Sequence, residues 1–91
     1  MPRARARHVL MALGQRVAEL RDAKAMTQDD LAARAGVSLR YVQRVEAADV
    51  SPSIPKLVDL AEALDVGMTE LFEEPRELRP RPKRGRPRTR K

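Results

Sequence analysis

The sequence predicts an all-α domain of five short helices followed by a basic tail that does not fold, and three observations lead there. Apolar residues over 13–64 recur at three- and four-residue spacing instead of alternating. Thr27, Ser38 and Ser53 each stand just ahead of such a stretch, where a side-chain hydroxyl can close a helix start. With no Trp, one Phe and one Tyr, the core must come from Leu, Val, Ile and Ala, a set that suits close-packed helices better than a sheet. No strand is expected.

The first helix is expected over about residues 8–24, with Leu13, Val17 and Leu20 inward and Leu10 extending the stripe. The RARAR segment before it is either a flexible arm or a prolongation of the helix, since Ala and Arg are both good helix formers and Pro2 is tolerated near a start. Thr27 caps the second helix, and Asp29 and Asp30 fall in its first turn, where the helix dipole favours negative charge. Leu31, Ala32 and Ala35 form its apolar stripe, and Gly36 can take the left-handed conformation that ends it. Ser38 caps the third helix; at 100° per residue Val42, Val45 and Ser38 point one way, while Arg40, Gln43, Arg44 and Ala47 share the other face. Ser53 caps the fourth, with Pro55 tolerated in its first turn and Leu57, Leu60, Ala61 and Leu64 inward. A fifth helix, over residues 69–73, follows Gly67 and closes the domain with Leu71 and Phe72.

Ninety-one residues make one domain, and a compact part of about sixty residues buries only about 60% of its unfolded surface, so dimerisation would help it. Charge divides the chain into three parts. Residues 1–7, 8–74 and 75–91 carry net charges of +3, −5 and +8 within a total of +6. The first is a basic arm or helix extension, the second the folded domain, the third a tail. The absence of Cys removes disulfides and thiolate metal sites, and a lone His8 builds no metal site. The basic-then-apolar start resembles a signal peptide only briefly, because its unbroken apolar run is too short; no membrane-spanning stretch is present. A cytoplasmic, nucleoid-associated location is expected, with no membrane partner.

The third helix presents chemistry suited to base edges. Arginine can donate a bidentate pair to guanine in the major groove, and glutamine can do so to adenine. LGQRVAELR, TQDDLAARAGVS, YVQRVE and SPSIPKLVDLAEALDVGMTELF occur in that order. Together, over about residues 13–72, they resemble the helix-turn-helix domain of the Cro and phage-repressor (XRE-like) regulators of bacteria and phages. The resemblance implies a lambda-repressor-like fold and binding to double-stranded DNA as a homodimer. It also implies that Gln28 contacts a phosphate and that Ser38, Leu39, Arg40, Gln43 and Arg44 approach bases or backbone. Arg40 and Arg44 are the first candidates for base edges, the alternative being phosphate contact without sequence information. Tyr41 packs against the domain and places its hydroxyl on a phosphate; Leu39 either touches a thymine methyl or is simply exposed. Arg21 and Glu46 match a structural ion pair between the first and third helices. Two positions depart from the pattern: Ala47 and Ala48 stand where glycine is common, and Asp49 where a basic residue often holds phosphate. Lys56 and the basic ends are candidates to replace that clamp. Val66, Met68, Leu71 and Phe72 offer apolar surface for a second copy.

From Pro75 onward, prolines spaced among like charges argue for a disordered tail. Within it Arg84, Gly85, Arg86, Pro87 and Arg88 resemble the AT-hook, a minor-groove peptide. Glycine lets the backbone lie on a narrow groove floor, and the arginines meet the enhanced negative potential of A·T tracts. The alternative is a polycation that touches phosphates without preference.

The expected function is that of a sequence-specific DNA-binding transcriptional regulator without cofactor. Two other classes use similar parts: an antitoxin that also blocks a toxin, and a nucleoid-type architectural protein. Transcription machinery is another candidate protein partner. No enzyme is expected, because no nucleophile, acid–base pair or phosphate-cradling glycine loop can be assigned.

Overall fold

A computed structural model describes residues 3–76. It contains α1 (Arg3–Ala23), α2 (Gln28–Ala35), α3 (Leu39–Glu46), α4 (Ile54–Leu64) and α5 (Met68–Leu71), with no strand among the described residues. The residues proposed for the AT-hook, Arg84 to Arg88, lie outside the described residues.

α1 begins at Arg3, five residues before the expected start, so the described part of the RARAR segment is helical. Alternating Ala and Arg favour helix intrinsically, and residues 4–9 are exposed, so packing does not hold this first part in place. Further along, Leu13 and Val17 are buried, and Leu20 packs against the core from its edge.

Each start that the sequence marks is closed by a side chain. Thr27 Oγ1 accepts from Asp30 N at 2.9 Å, and the Asp30 carboxylate accepts from Thr27 N at 2.9 Å, a reciprocal box that satisfies two otherwise orphaned donors. Ser38 and Ser53 cap α3 and α4 through Tyr41 N and Lys56 N. At the fifth start Gly67 has no side chain to offer, but Glu70 reaches back to accept from Gly67 N. α5 starts one residue earlier and ends two residues sooner than the expected 69–73, which leaves Phe72 as a half-exposed C-cap that does not close the core.

The first four helices end alike. A residue in the left-handed region is followed by an N–H that bonds back five residues: Met26 to Arg21, Val37 to Ala32, Asp49 to Arg44 and Val66 to Ala61. Only α2 uses glycine there, Gly36 at φ 73°. Ala25, Ala48 and Asp65 take φ of 56°, 61° and 59°, a conformation that crowds Cβ.

Leu31, Leu60, Leu64, Leu71, Val17, Val42 and Val45 are fully buried and form one core. Burial of each such side chain is worth about 1.5–3 kcal/mol. Pro75, assigned above to the tail, is buried, so the folded part extends past residue 74. α1 packs on α3 and α5, while α2 packs on α3 and α4. The shortest helix is held by a clasp from the longest. Arg16 of α1 donates to the Glu70 carbonyl at 2.7 Å, to Glu19 at 3.3 Å and to Glu73 at 3.0 Å.

Candidate nucleic-acid interface

α3 is fixed from behind. Val42 and Val45 anchor it in the core, and Gly14 of α1 lies against its last turn, where an added Cβ would stand 2.6 Å from the Val45 carbonyl oxygen and 2.7 Å from that of Glu46. Only a residue without a side chain lets α1 approach so closely.

The second constraint is electrostatic. Arg21 grips Glu46 with two bonds, Nε to Oε2 at 2.8 Å and Nη2 to Oε1 at 3.2 Å, and its Nη1 donates to the Met26 carbonyl at 2.8 Å. Its guanidinium is held even more firmly protonated, chiefly by the hydrogen bond to Glu46. Gln28, the first residue of α2, donates its side-chain amide to Glu46 Oε1 at 2.9 Å. Helices α1, α2 and α3 thus meet at one carboxylate. The resemblance places Gln28 on a phosphate; here it is half-buried and turned onto that ion pair.

Leu39, Arg40, Gln43 and Arg44 are exposed and form the outer face of α3. Ser38, which periodicity turns inward with the valines, is exposed and serves as the N-cap, because the capping position precedes the helical rotation that periodicity assumes. Ala47, expected on the outer face, is the half-buried C-cap. Tyr41 is half-buried, and burial pushes its hydroxyl pKa up, which keeps it a neutral donor.

The helix starts differ in charge. α2 has Asp29 and Asp30 in its first turn, whereas α3 and α4 have no acid there. Arg40 and Lys56 occupy those two first turns against the helix dipole, a placement that does nothing for helix stability and suits an anion beyond the helix end.

Of the apolar set assigned to dimerisation, Phe72 is 50% exposed, and Val66 and Met68 are half-buried against the core. Leu71 is wholly buried within its own monomer and has no surface to offer, because a helix as short as α5 is tethered by its one inward side chain. Sequence reasoning misses Ile54 and Val58, one turn apart on α4 and 65% and 37% exposed. It also passes over Gly14 and Arg16, whose contacts join residues remote in sequence.

This geometry, an exposed polar face on a helix that follows a short glycine turn, coincides with what comparison finds. The helix-turn-helix family model matches residues 17–71. The chain belongs to the helix-turn-helix family. It is 37% identical over 59 residues to a transcriptional regulator of that type from Sinorhizobium fredii, a stretch covering 65% of this chain and 77% of the relative. Identity to a second S. fredii regulator is 33% over 66 residues, covering 72% of this chain and 32% of that protein. A transcriptional regulator from the ATPase CF(0) region of Rhodospirillum rubrum shares 37% over 67 residues, 74% of this chain and 62% of the relative. The chain thus spans under two thirds of two of these relatives. Among solved structures, the restriction-modification controller protein C.AhdI from Aeromonas hydrophila superposes with a TM-score of 0.68 at 41% identity, covering 69% of this chain and 96% of that one. Family, relatives and fold make this chain a sequence-specific DNA-binding transcriptional regulator. Proteins of this kind are generally not enzymes. No helix among the described residues is long and apolar enough to cross a membrane.

Proposed function

We propose that α3 enters the major groove with its N-terminal end leading, Arg40 and Arg44 meeting base edges and Gln43 assisting. The observation that carries this is the outer face itself: four side chains are exposed while Val42 and Val45 hold the helix in the core. A face that does nothing for folding is free to be chosen for recognition. Lys56, Ser38 and the Tyr41 hydroxyl face phosphates, and Gln28 contributes its remaining amide hydrogen from its position on Glu46. A second copy docks through Phe72 with the edges of Val66 and Met68, which makes the operator a pseudo-palindrome with half-sites about 34–36 Å apart or a multiple of that. The tail then adds phosphate contacts, and Arg84 to Arg88 supply minor-groove binding beside the site. Likeness to a restriction-modification controller directs the search for regulated genes to such systems first. Selection of bound duplexes from a randomised library, with the intact chain and with Arg40→Ala and Arg44→Ala, tests the reading. At least one variant should lose preference at a defined base pair; unchanged discrimination in both would remove α3 as the reader.

A further inference from the structure

Five large apolar side chains are substantially exposed among the described residues: Val9, Leu39, Ile54, Val58 and Phe72. Leu39 stands apart because it belongs to α3, at the first helical position, in a face otherwise made of Arg40, Gln43 and Arg44. Leu39 is neither in the buried core nor among the partly buried apolar side chains packed against it. Ser38 caps the helix, Val42 and Val45 anchor it, and Leu39 remains 38% exposed.

Side chains on a helix lean toward its N-terminus, so a first-position residue projects at the leading end. In the major groove the base edges present hydrogen-bond donors and acceptors, with one apolar group among them, the C5-methyl of thymine. An apolar side chain pressed against any other edge would desolvate polar atoms without pairing them.

We infer that Leu39 reads a methyl group on C5 of a pyrimidine in the major groove, carried by thymine or by 5-methylcytosine. The inference rests on the proposed major-groove role of α3. Both bases place the methyl on the same ring carbon, so a leucine that favours thymine also distinguishes methylated from unmethylated cytosine at that step. The protein then senses cytosine methylation wherever a cytosine occupies the position that Leu39 faces.

The test uses the intact chain and a site enriched from randomised duplexes. Each thymine is replaced in turn by deoxyuridine, which keeps base pairing and lacks the methyl, and the Kd is measured for the native chain and for Leu39→Ala. Burying one methyl corresponds to about a fourfold change in affinity. One thymine per half-site should show that loss with the native chain and none with Leu39→Ala. At the same step, 5-methylcytosine should bind the native chain about fourfold tighter than cytosine, again with no difference for Leu39→Ala. Deoxyuridine tolerated by the native chain at every position, or equal losses in the native chain and Leu39→Ala, would overturn the inference while leaving the arginine contacts in place. Failure to enrich any sequence would overturn both this inference and the reading role of α3.

Discussion

Gly14 and Val45 meet backbone to backbone, and a methyl on Gly14 would stand 2.6 Å from the Val45 carbonyl oxygen. Neither neighbour is the flexible end of a side chain, so α1 and the last turn of α3 would have to separate. Gly14→Ala should therefore destabilise the domain by about 1–3 kcal/mol, as overpacking does. DNA affinity measured well below the thermal midpoint should also fall, because the outer face of α3 tilts. A variant with an unchanged urea midpoint would show that the two helices slide apart freely.

The cluster of Arg21, Glu46 and Gln28 gives a second expectation. The Arg21 and Glu46 side chains retain only 14% and 10% exposure, so removing one partner strands the other. Arg21→Met should cost about 3–5 kcal/mol, whereas Gln28→Ala should cost about 1 kcal/mol. Pairing Arg21→Met with Glu46→Leu should recover much of the loss. Chemical denaturation of the two single variants and the pair checks this, and a double variant no better than Arg21→Met would argue against the stranded charge.

Left-handed residues separate conformational strain from steric contact. A Cβ on Gly36 would meet nothing within 4 Å, yet its φ is 73°, so Gly36→Ala should cost about 1 kcal/mol through backbone strain alone. Ala25 is exposed at φ 56°, and Ala25→Gly should return a similar amount. Opposite shifts in thermal midpoint are expected; shifts of the same sign would exclude this account.

The box at the start of α2 makes a pH prediction. The Asp30 carboxyl is held below the usual carboxylate range, first by the backbone hydrogen bond from Thr27 and then by the Thr27 hydroxyl. Its folded pKa lies below its unfolded one, so its contribution is fully present above about pH 4 and is lost as pH falls through the folded value. Asp30→Asn should flatten stability against pH in that acid window and leave the profile near neutrality unchanged in shape. Thr27→Ala, measured at pH 7, should cost about 1 kcal/mol.

Deleting residues 77–91 removes eight basic side chains and Glu77 while sparing the buried Pro75. The thermal midpoint should barely move, but affinity should fall. The slope of log affinity against log salt should flatten by about 0.9 for each phosphate that the tail would otherwise neutralise. Gly85→Ala with Arg86→Lys keeps the charge. Its effect should be confined to sites flanked by A·T tracts, and an equal weakening at G·C-flanked sites would reduce the tail to a polycation.

What the sequence makes legible is local. Thr27, Ser38, Ser53 and Gly36 declare helix boundaries through chemistry that acts within a few residues, and Leu57, Leu60 and Leu64 repeat at helical spacing into the core. Gly14 and Arg16 give no such signal, since their partners Val45 and Glu70 lie 31 and 54 residues away. Ala25, Ala48 and Asp65 hide three helix ends, because only glycine advertises a left-handed position. The outer face of α3 is legible in Arg40, Gln43 and Arg44, but the exposure of Ser38 is not, because a cap stands outside the helical rotation. Leu71 reads both as a residue that closes the domain and as surface for a second copy, because periodicity carries little information over a four-residue helix.

One helix touches both working ends of the molecule. α1 bears on the last turn of α3 through Gly14 and Arg21, and clasps α5 through Arg16. If a dimer joins beyond α5 and α3 reads the groove as proposed, the span between the two α3 helices is a gauge cut into α1, while the text each one reads is set by residues 39, 40, 43 and 44. On that proposal, spacing and spelling of the operator are inherited separately. Exchanging those four side chains would respell each half-site at an unchanged interval, and altering residue 16, which touches α5 and not α3, would change the interval while the spelling stayed the same.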